Sequence, residues 1–345
     1  MLMNKLTIDY LQSSLLDYYS SFARDLPWRK TKDPYKIWVS EIMLQQTQVK
    51  TVIPYYERFI SKLPTVLALA SAHEDELLKL WEGLGYYSRV LNMHKAAKMV
   101  VKELNGMMPH TSKDLLKLPG IGLYTAGAIA SIAFEERISA VDGNVHRVLS
   151  RYFGLSLTKE ALVPLMYEIL PSKRIGDFNQ AIMEIGALIC LPSLNPNCQS
   201  CPLKDNCVAL DMNLIDSLPL KPKKLIRTKE LYTLLMITDD ASYYLQKRPA
   251  KGLLANLWEF PLLKGHLSQT EIINYVQSLG LKMLKMMELP NTSHAFTHKD
   301  WDIIAYKVTI INPQPLNDFT LVFKDDLLKN YTLSSLFNKY QEYYR

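Results

Sequence analysis

All four cysteines of the 345-residue chain fall in one short stretch, spaced Cys190-x7-Cys198-x2-Cys201-x5-Cys207. A chain folded around disulfides scatters its cysteines, whereas bunched thiols in a reducing compartment are typical of a metal or iron–sulfur site. Zinc sites with four cysteines usually contain two C-x2-C pairs, and this stretch contains one such pair. The longer flanking gaps therefore favour an iron–sulfur cluster, with zinc as the alternative. Four unrelated core cysteines are the least favoured interpretation.

Length and composition narrow the possible classes of protein. A chain of 345 residues predicts about two domains. Hydrophobic residues at 48% and charged residues at 21% indicate a globular chain, and a net charge of +6 permits an anionic partner but excludes a polybasic binder. No apolar run reaches the ~18–20 residues of a membrane helix, and the N-terminus lacks the core of a signal peptide. We expect a soluble, cytoplasmic protein with no membrane partner.

Three stretches of the chain differ in character. Residues 1–210 carry apolar residues at helical spacing. Residues 211–230 hold two prolines and five basic residues. Residues 231–345 contain runs rich in β-branched and aromatic residues. These patterns predict a mostly helical domain, a linker and an α+β domain, in that order. The predicted helices are Leu6–Tyr19, Tyr35–Lys50, Asp75–Leu80, Arg89–Leu104, Thr125–Phe134, Gln269–Leu279 and Leu333–Tyr343, and the predicted strands are Leu231–Ile237, Ser242–Lys247 and Trp301–Ile310.

A candidate hairpin, Leu118-Pro119-Gly120-Ile121-Gly122, lies between the predicted helices Ser112–Lys117 and Leu123–Phe134. Its two glycines allow a tight turn with positive φ. They also leave amide N–H groups uncovered at the start of the second helix, where a DNA phosphate could bind. The same pattern also fits a plain connector between two helices.

Two carboxylates are candidates for acid–base chemistry. Glu41 lies among apolar residues of a predicted helix, and a desolvated carboxyl group has a raised pKa and can act as a general acid. The pattern also fits an exposed Glu on an amphipathic helix. Asp142 precedes the predicted helix Asn144–Phe153, where it fits a helix N-cap as well as a catalytic carboxylate. Together they would supply the acid and the counter-charge for glycosidic cleavage through an oxocarbenium-like state.

Several motifs occur together in one order along the chain. They are Glu41-Ile42-Met43-Leu44-Gln45-Gln46-Thr47-Gln48-Val49, Gly83-Leu84-Gly85-Tyr86-Tyr87-Ser88-Arg89, the hairpin followed by Tyr124, Val141-Asp142-Gly143-Asn144, and the cysteine run. In this combination residues 5–210 resemble the MutY adenine DNA glycosylases, a family of the helix-hairpin-helix, iron–sulfur superfamily. Residues 231–345 resemble, more weakly, that family's MutT-like (Nudix-like) C-terminal domain. The resemblance implies a mostly α glycosylase domain with a cluster loop at 190–207 and an α+β recognition domain.

The resemblance also implies an activity and the residues that carry it. The family removes adenine mispaired with 8-oxoguanine or guanine in double-stranded DNA, after flipping it out of the stack. By this likeness Glu41 would protonate the adenine ring and later activate water, and Asp142 would stabilise the oxocarbenium ion. Tyr124 and Asn144 would support these two groups. A [4Fe-4S] cluster would be bound by Cys190, Cys198, Cys201 and Cys207.

Other residues match family positions that contact DNA or its bases. These are the phosphate-binding Gly120 and Gly122, the stack-inserting Gln46 and Tyr86, the adenine-pocket residues Trp28, Arg29, Gln180 and Glu184, and the 8-oxoguanine-inspecting Phe296, Thr297 and His298. Thr297 replaces the family's Ser, which keeps a hydroxyl group and adds a methyl group. The Glu-dense helix of nucleotide hydrolases is not visible after Gly252, so we expect the second domain to recognise a base without hydrolysing nucleotides.

Two alternatives remain open. Endonuclease III-type glycosylase/AP lyases, which act on oxidised pyrimidines, resemble this chain but carry Lys at the position of Tyr124 and lack a domain like 231–345. Because Lys can form a Schiff base with the sugar and Tyr cannot, we expect a monofunctional glycosylase. The second alternative is a non-catalytic DNA-binding iron–sulfur protein, and the pairing of Glu41 with Asp142 argues against it.

The first gap in the cysteine run departs from the family pattern. Leu191–Asn197 is one residue longer than the family's usual gap. An extra loop residue can bulge without displacing the thiols. It can also signal an altered or lost cluster, so both outcomes stay open.

Overall fold

The computed structural model describes residues 5–192, 195–220 and 226–344. The chain forms two compact units, the first from Met1–Ser71 and Asn92–Pro222 and the second from Ala72–Leu91 and Lys223–Arg345. The predicted domains are continuous in sequence, whereas the second unit also includes Ala72–Leu91. Residues 221–225 of the predicted linker and residues 193–194 of the first cysteine gap lie outside the described ranges.

Residues 5–220 are mostly helical, as predicted. The helices are α1 (Lys5–Phe22), α2 (Pro34–Leu44), α3 (Val49–Lys62), α4 (Val66–Ser71), α5 (Glu74–Trp81), α6 (Ser88–Leu104), α7 (Ser112–Leu115), α8 (Leu123–Phe134), α9 (Gly143–Phe153), α10 (Lys159–Ile169), α11 (Ile175–Leu188) and α12 (Val208–Asp211). Short 3-10 turns lie at Pro27–Arg29, Cys198–Ser200 and Lys204–Asn206. Within the described ranges, no helix is both long and apolar enough to span a bilayer.

One core of the first unit forms between α1, α9, α10 and α11. Leu15, Leu149 and Phe178 are completely buried there, because the apolar stripes of these helices face one another. Cys190 and Cys207 pack against the edge of the same core. The cysteine loop is therefore attached to the helices that carry Asp142 and Glu184.

Helix α2 is buried on all sides, which explains its almost continuous apolar sequence. The carboxylate of Asp33 caps the helix by accepting a hydrogen bond from the backbone N–H of Tyr35. The remainder of the helix packs against α8. The predicted helix Tyr35–Lys50 is wrong as a single element, because α2 ends at Leu44 and α3 begins at Val49. Gln46 lies in this break with a left-handed φ of 56°.

The strand-rich part of the second unit is a mixed sheet. Its strands are β1 (Thr228–Thr238), β2 (Ser242–Lys247), β3 (Trp258–Glu259), β4 (Leu262–Lys264), β5 (Lys282–Ala295), β6 (Lys299–Ile311) and β7 (Thr320–Phe323). They are ordered β3-β2-β1-β6-β5, with β4 beside β1 and β7 beside β2. β1 and β6 run parallel, and the other pairs are antiparallel.

Helices cover both faces of this sheet. They are α13 (Gln269–Ser278), α14 (Lys324–Asn330), a 3-10 segment (Ser335–Tyr340) and α15 (Gln341–Tyr344). Met236 packs with Phe337 on one face, and Ile237 packs with Ile272 of α13 on the other. Because both faces are covered, the second half of β1 is continuously buried instead of alternating. The predicted helix Leu333–Tyr343 is in fact the 3-10 segment followed by α15.

Candidate active site

One cavity of about 580 Å³ in the first unit collects most of the predicted site residues. This volume lies within the range of small-molecule sites. The predicted residues that line it are Trp28, Arg29, Glu41, Gln46, Gly122, Tyr124, Asp142, Asn144, Gln180 and Glu184. We call it the first-unit cavity. Gly120 is not part of its lining, and Tyr86, Phe296, Thr297 and His298 belong to the second unit.

Glu41 is presented to the cavity from the buried helix α2. Its side chain is only 6% exposed, so the interpretation as an exposed helix residue is wrong. The pKa of Glu41 is raised to about 7: burial raises it most, the nearby Asp142 adds to this effect, and a hydrogen bond from the Tyr124 hydroxyl opposes it. That hydroxyl donates to Glu41 Oε2 at 2.6 Å. A carboxyl group in this environment is half protonated near neutral pH, as a general acid requires.

Asp142 is both the N-cap of α9 and a wall of the first-unit cavity. Its carboxylate accepts hydrogen bonds from the backbone N–H of Val145 at 2.7 Å and from Asn144 Nδ2 at 2.9 Å. Burial raises the pKa of Asp142, while these hydrogen bonds and the charge of Lys159 lower it. Burial is the larger effect, so the pKa of Asp142 is raised overall, while the capping hydrogen bonds fix the carboxyl group in position and oppose the effect of burial.

A second acidic group, Glu184, is engaged by two arginines. Arg24 Nη2 lies 2.6 Å and Arg29 Nη2 lies 2.8 Å from Glu184 Oε2. Burial alone would raise the pKa of Glu184, but the hydrogen bonds from Arg24 and Arg29 lower it to about 2. Glu184 is thus a permanent anion that orients Arg29 in the cavity wall. In the described part of the chain, the buried Arg29 Nε has no hydrogen-bond partner.

A hydrogen-bonded path connects the cysteine loop with Asp142. Arg147 Nε donates to the carbonyl oxygen of Cys190 at 2.7 Å, and its Nη2 donates to Asn144 Oδ1 at 2.9 Å. Asn144 in turn donates to Asp142. Sequence reasoning missed Arg147, although its spacing of three residues from Asn144 on one helix places the two side chains together.

The four cysteines surround a common cavity of their own. Cys190, Cys198, Cys201 and Cys207 all line it, together with apolar residues of α9 and α11. Arg151 Nη1 lies 3.4 Å from Cys190 Sγ. Among the described residues, no three histidine, cysteine or carboxylate side chains are grouped closely enough to hold a single metal ion.

The hairpin differs in one respect from the prediction. Gly120 has a left-handed φ of 80°, but Gly122 has an extended conformation and serves as the N-cap of α8. A Cβ atom on Gly120 would also lie 2.8 Å from Asn92 Cβ, so the close approach excludes a side chain. Gly122 provides no side-chain cap, which leaves the first amides of α8 free of a capping side chain.

The predicted DNA-contacting residues of the second unit lie on two turns. Tyr86 is 52% exposed and has a left-handed φ of 47°. Phe296, Thr297 and His298 form the turn between β5 and β6, where Thr297 and His298 are exposed. The Phe296 ring packs against Trp301 with 4.8 Å between ring centroids.

The first-unit cavity also contains residues that sequence reasoning did not single out. These include Arg24, Thr125, Lys159 and Met183. Arg24 and Lys159 occur in stretches without a distinctive motif, so the sequence holds no signal for them. Gln45 stands inside the first motif, and its Nε2 donates to Thr125 Oγ1 at 3.2 Å.

Comparisons with known families agree with this architecture. A family model described as "HhH-GPD superfamily base excision DNA repair protein" matches residues 39–166, and a NUDIX domain model matches residues 232–343. A thermostable thymine-DNA glycosylase structure is similar with a TM-score of 0.57 and 31% identity, over 60% of this chain and 98% of that one. An endonuclease III–DNA complex matches with a TM-score of 0.54 at 23% identity, over 62% and 99% of the two chains, which shows a shared fold.

Relatives named adenine DNA glycosylase match long stretches of the chain, and one of them covers most of it. The adenine DNA glycosylase of Buchnera aphidicola subsp. Baizongia pistaciae is 40% identical over 83% of this chain and 82% of its own length. The human adenine DNA glycosylase is 47% identical over 57% of this chain and 39% of its own.

Proposed function

This chain belongs to the adenine DNA glycosylase family of the HhH-GPD superfamily, and from that premise we propose that its substrate is adenine mispaired with 8-oxoguanine or guanine. As a family member it is a base-excision-repair enzyme that acts on DNA. The proposed partner is double-stranded DNA that contains such a mispair. We further propose a monomer of the cytoplasm or nucleoid, with a catalytic domain over 1–210, a linker over 211–230 and a recognition domain over 231–345.

The proposed mechanism assigns the acid to Glu41 and the counter-charge to Asp142. Adenine is a poor leaving group, so Glu41 protonates a ring nitrogen as the N-glycosidic bond breaks. Asp142, fixed in place by hydrogen bonds from Asn144 and from the backbone N–H of Val145, stabilises the oxocarbenium-like sugar as a carboxylate. Glu41, now ionised, then accepts a proton from the attacking water. Tyr124 holds Glu41 in place through its hydroxyl group.

The other proposed contacts follow the residues matched in the sequence. Trp28, Arg29, Gln180 and Glu184 border the adenine, with Arg29 Nε as a donor that a bound base can satisfy. Gln46 and Tyr86 insert into the base stack, and Gly120 and Gly122 approach a phosphate. The turn of Phe296, Thr297 and His298 inspects the 8-oxoguanine.

One observation carries this assignment: Glu41 is buried in a cavity that also holds Asp142, with its pKa raised to about 7. The decisive experiment is Glu41→Gln, which keeps the hydrogen bond from Tyr124 but removes the transferable proton. We expect single-turnover release of adenine opposite 8-oxoguanine to fall by about 100- to 10,000-fold. Glu57→Gln, which changes an exposed Glu on α3, is the matched control. Unchanged release by Glu41→Gln would exclude Glu41 as the acid.

The lyase alternative can be tested on the same protein. Tyr124 cannot form a Schiff base, and its hydroxyl group is engaged by Glu41. Incubation with a duplex containing an abasic site and borohydride should therefore trap little covalent adduct. Abundant adduct, or release of thymine glycol in preference to adenine, would favour an endonuclease III-type lyase.

We propose that the four cysteines bind a [4Fe-4S] cluster. All four cysteines line one cavity, and Arg151 Nη1 lies 3.4 Å from Cys190 Sγ. When bound, the cluster would supply iron to which the thiolates of Cys190, Cys198, Cys201 and Cys207 bond, and it would thereby cross-link these four residues. Iron and sulfide analysis of protein purified without oxygen should give a stoichiometric cluster, whereas zinc without iron would support the alternative metal.

A further inference from the structure

The segment Ala72–Leu91 comes from the middle of the helical half of the chain, yet it belongs to the same compact unit as residues 223–345. It consists of α5, the loop Glu82–Tyr87 and the start of α6. We call this loop the Tyr86 loop, because Tyr86 is its half-exposed residue. Its inclusion in the second unit requires contacts that bind it there.

Three acidic side chains of the segment accept hydrogen bonds from the strand-rich part of the unit. The pairs are Glu74 Oε1 with Asn256 Nδ2 at 2.6 Å, Asp75 Oδ1 with Lys247 Nζ at 2.8 Å, and Glu82 Oε1 with the backbone N–H of Leu333 at 3.3 Å. We call Glu74, Asp75 and Glu82 the acidic seam. Each contact has a carboxylate acceptor, which makes it stronger than a neutral hydrogen bond.

The Tyr86 loop is also stiffened from within. Arg89 donates to the carbonyl oxygens of Leu84 at 3.2 Å and Gly85 at 3.1 Å, and its guanidinium lies over the Trp81 ring. The indole N–H of Trp81 donates to the carbonyl oxygen of Gly85 at 3.1 Å. These contacts hold Tyr86 in its left-handed conformation, so a displacement of the loop would move Tyr86 as part of a rigid body.

We propose that the strand-rich part of the second unit positions the Tyr86 loop through the acidic seam, with Glu82 as the main positioning residue. The inference rests on the proposed insertion of Tyr86 into DNA. It gives residues 223–345 a second role, which is to support the side chain that enters the base stack. An aromatic group held on a fixed backbone loses less conformational entropy on binding, so this support favours insertion.

The first test is hydrogen exchange of residues 83–89 in the free full-length protein. Glu82→Ala removes the acceptor for Leu333 and should accelerate exchange in this peptide about tenfold or more, since a charged acceptor is lost. Glu82→Gln keeps an oxygen acceptor but loses the ion pair with Lys79, and it should restore slow exchange. Asp240→Ala breaks another exposed ion pair of the same unit, with Lys307, and is the control. Unchanged exchange in Glu82→Ala would overturn the proposal.

The second test uses a charge exchange, which does not depend on deleting a side chain. Asp75→Lys and Lys247→Asp each place like charges together, and each should accelerate exchange of residues 83–89. The double variant restores an opposite-charge pair and should recover slow exchange. If the double variant exchanges as fast as the single variants, the acidic seam does not position the loop.

Excision kinetics then separate this inference from the proposed role of Tyr86. On a duplex with adenine opposite 8-oxoguanine, Glu82→Ala should slow excision, but it should add nothing to the loss caused by Tyr86→Ala, because both act through one side chain. Fully additive losses would overturn positioning through Tyr86. If Tyr86→Ala itself excises at the wild-type rate, the insertion of Tyr86 is disproved, while the exchange measurements still decide whether the seam holds the loop.

Discussion

The pKa of Glu41 is set by its burial and by the charged and hydrogen-bonding groups around it, not by its place in a motif. Burial in α2 and the charge of Asp142 raise its pKa, and the hydroxyl group of Tyr124 lowers it. Each contribution has a sign that a substitution can test. The pKa of Glu41 therefore depends directly on the geometry of the first-unit cavity.

The first prediction concerns the pH dependence of catalysis. If Glu41 must be protonated, single-turnover excision should decline as the pH rises through about 7. Tyr124→Phe removes the hydrogen bond that lowers the pKa of Glu41, so the decline should move to higher pH. Tyr35→Phe is the matched control, because the Tyr35 hydroxyl is buried on the same helix but donates to the carbonyl oxygen of Leu63. A profile that moves to lower pH in Tyr124→Phe would contradict the assignment.

The second prediction concerns stability. The pKa of Glu41 is raised on folding from 4.5 to about 7, so the unfolded chain releases this proton first as the pH rises. The free energy of unfolding is therefore highest, as far as Glu41 is concerned, below pH 4.5. It falls by about 3 kcal/mol as the pH rises from 4.5 through about 7. Glu41→Gln avoids this loss. Urea unfolding should show the variant about equal to wild type near pH 4.5 and more stable at pH 8, whereas a variant less stable at both pH values would contradict the burial of Glu41.

At the scale of elements, the site depends on how closely α11 approaches α9. A Cβ atom on Gly186 of α11 would lie 2.6 Å from Asn144 Cβ and 3.1 Å from Asn144 Cα. Asn144 holds Asp142, and Arg147 donates to the carbonyl oxygen of Gly186 at 2.8 Å. The helix crossing therefore sets the position of the proposed counter-charge.

The third prediction follows from this crossing. Gly186→Ala should destabilise the fold by about 1–3 kcal/mol and should also slow excision in the folded protein by up to about 100-fold, because Asp142 is displaced. Gly176→Ala is the matched control: it causes a similar backbone clash from the same helix, with Ser131 and Ile132, away from Asp142. It should lose stability but keep the excision rate. Equal losses of the excision rate in both variants would mean that any distortion of α11 slows excision and that the position of Asp142 is not the specific cause.

The elements also show which features the sequence could predict. Local patterns located most helices and strands, since each pattern reports the face that an element buries. The sequence does not indicate the break at Gln46, because neither Gly nor Pro marks it and a left-handed Gln has no local signal. The burial of Glu41 does not follow from the sequence, since apolar neighbours do not indicate whether α8 covers the remaining face of α2.

At the scale of the whole molecule, the sequence patterns predict two domains that are each continuous in sequence. They do not predict that Ala72–Leu91 belongs to the second unit. That inclusion depends on polar contacts such as Asp75 with Lys247 and Glu82 with Leu333, between residues far apart in sequence. From the sequence alone, charged residues on a helix such as α5 are expected to be exposed to solvent. Only the fold shows which distant donors they meet.

The division into two units also separates the two proposed tasks. The carboxylates for cleavage, Glu41 and Asp142, lie in the first unit, whereas the turn of Phe296, Thr297 and His298 lies in the second. Loss of a contact to 8-oxoguanine should therefore change which mispair is preferred and leave the chemistry of adenine release intact. The exposed hydroxyl group of Thr297 is the group to test.

The fourth prediction is that Thr297→Ala lowers the ratio of excision rates opposite 8-oxoguanine and opposite guanine by about two- to tenfold, the worth of one hydrogen bond. Thr297→Ser keeps the hydroxyl group and should keep the ratio, whereas Thr320→Ala, an exposed Thr on β7, is the control. Single-turnover rates on the two duplexes give the ratio directly. Because Thr297 is remote in sequence from Glu41 and belongs to the other unit, the rate opposite guanine should stay at the wild-type value. Equal losses on both duplexes would instead mean that the turn contributes to DNA binding in general and does not distinguish the oxidised base.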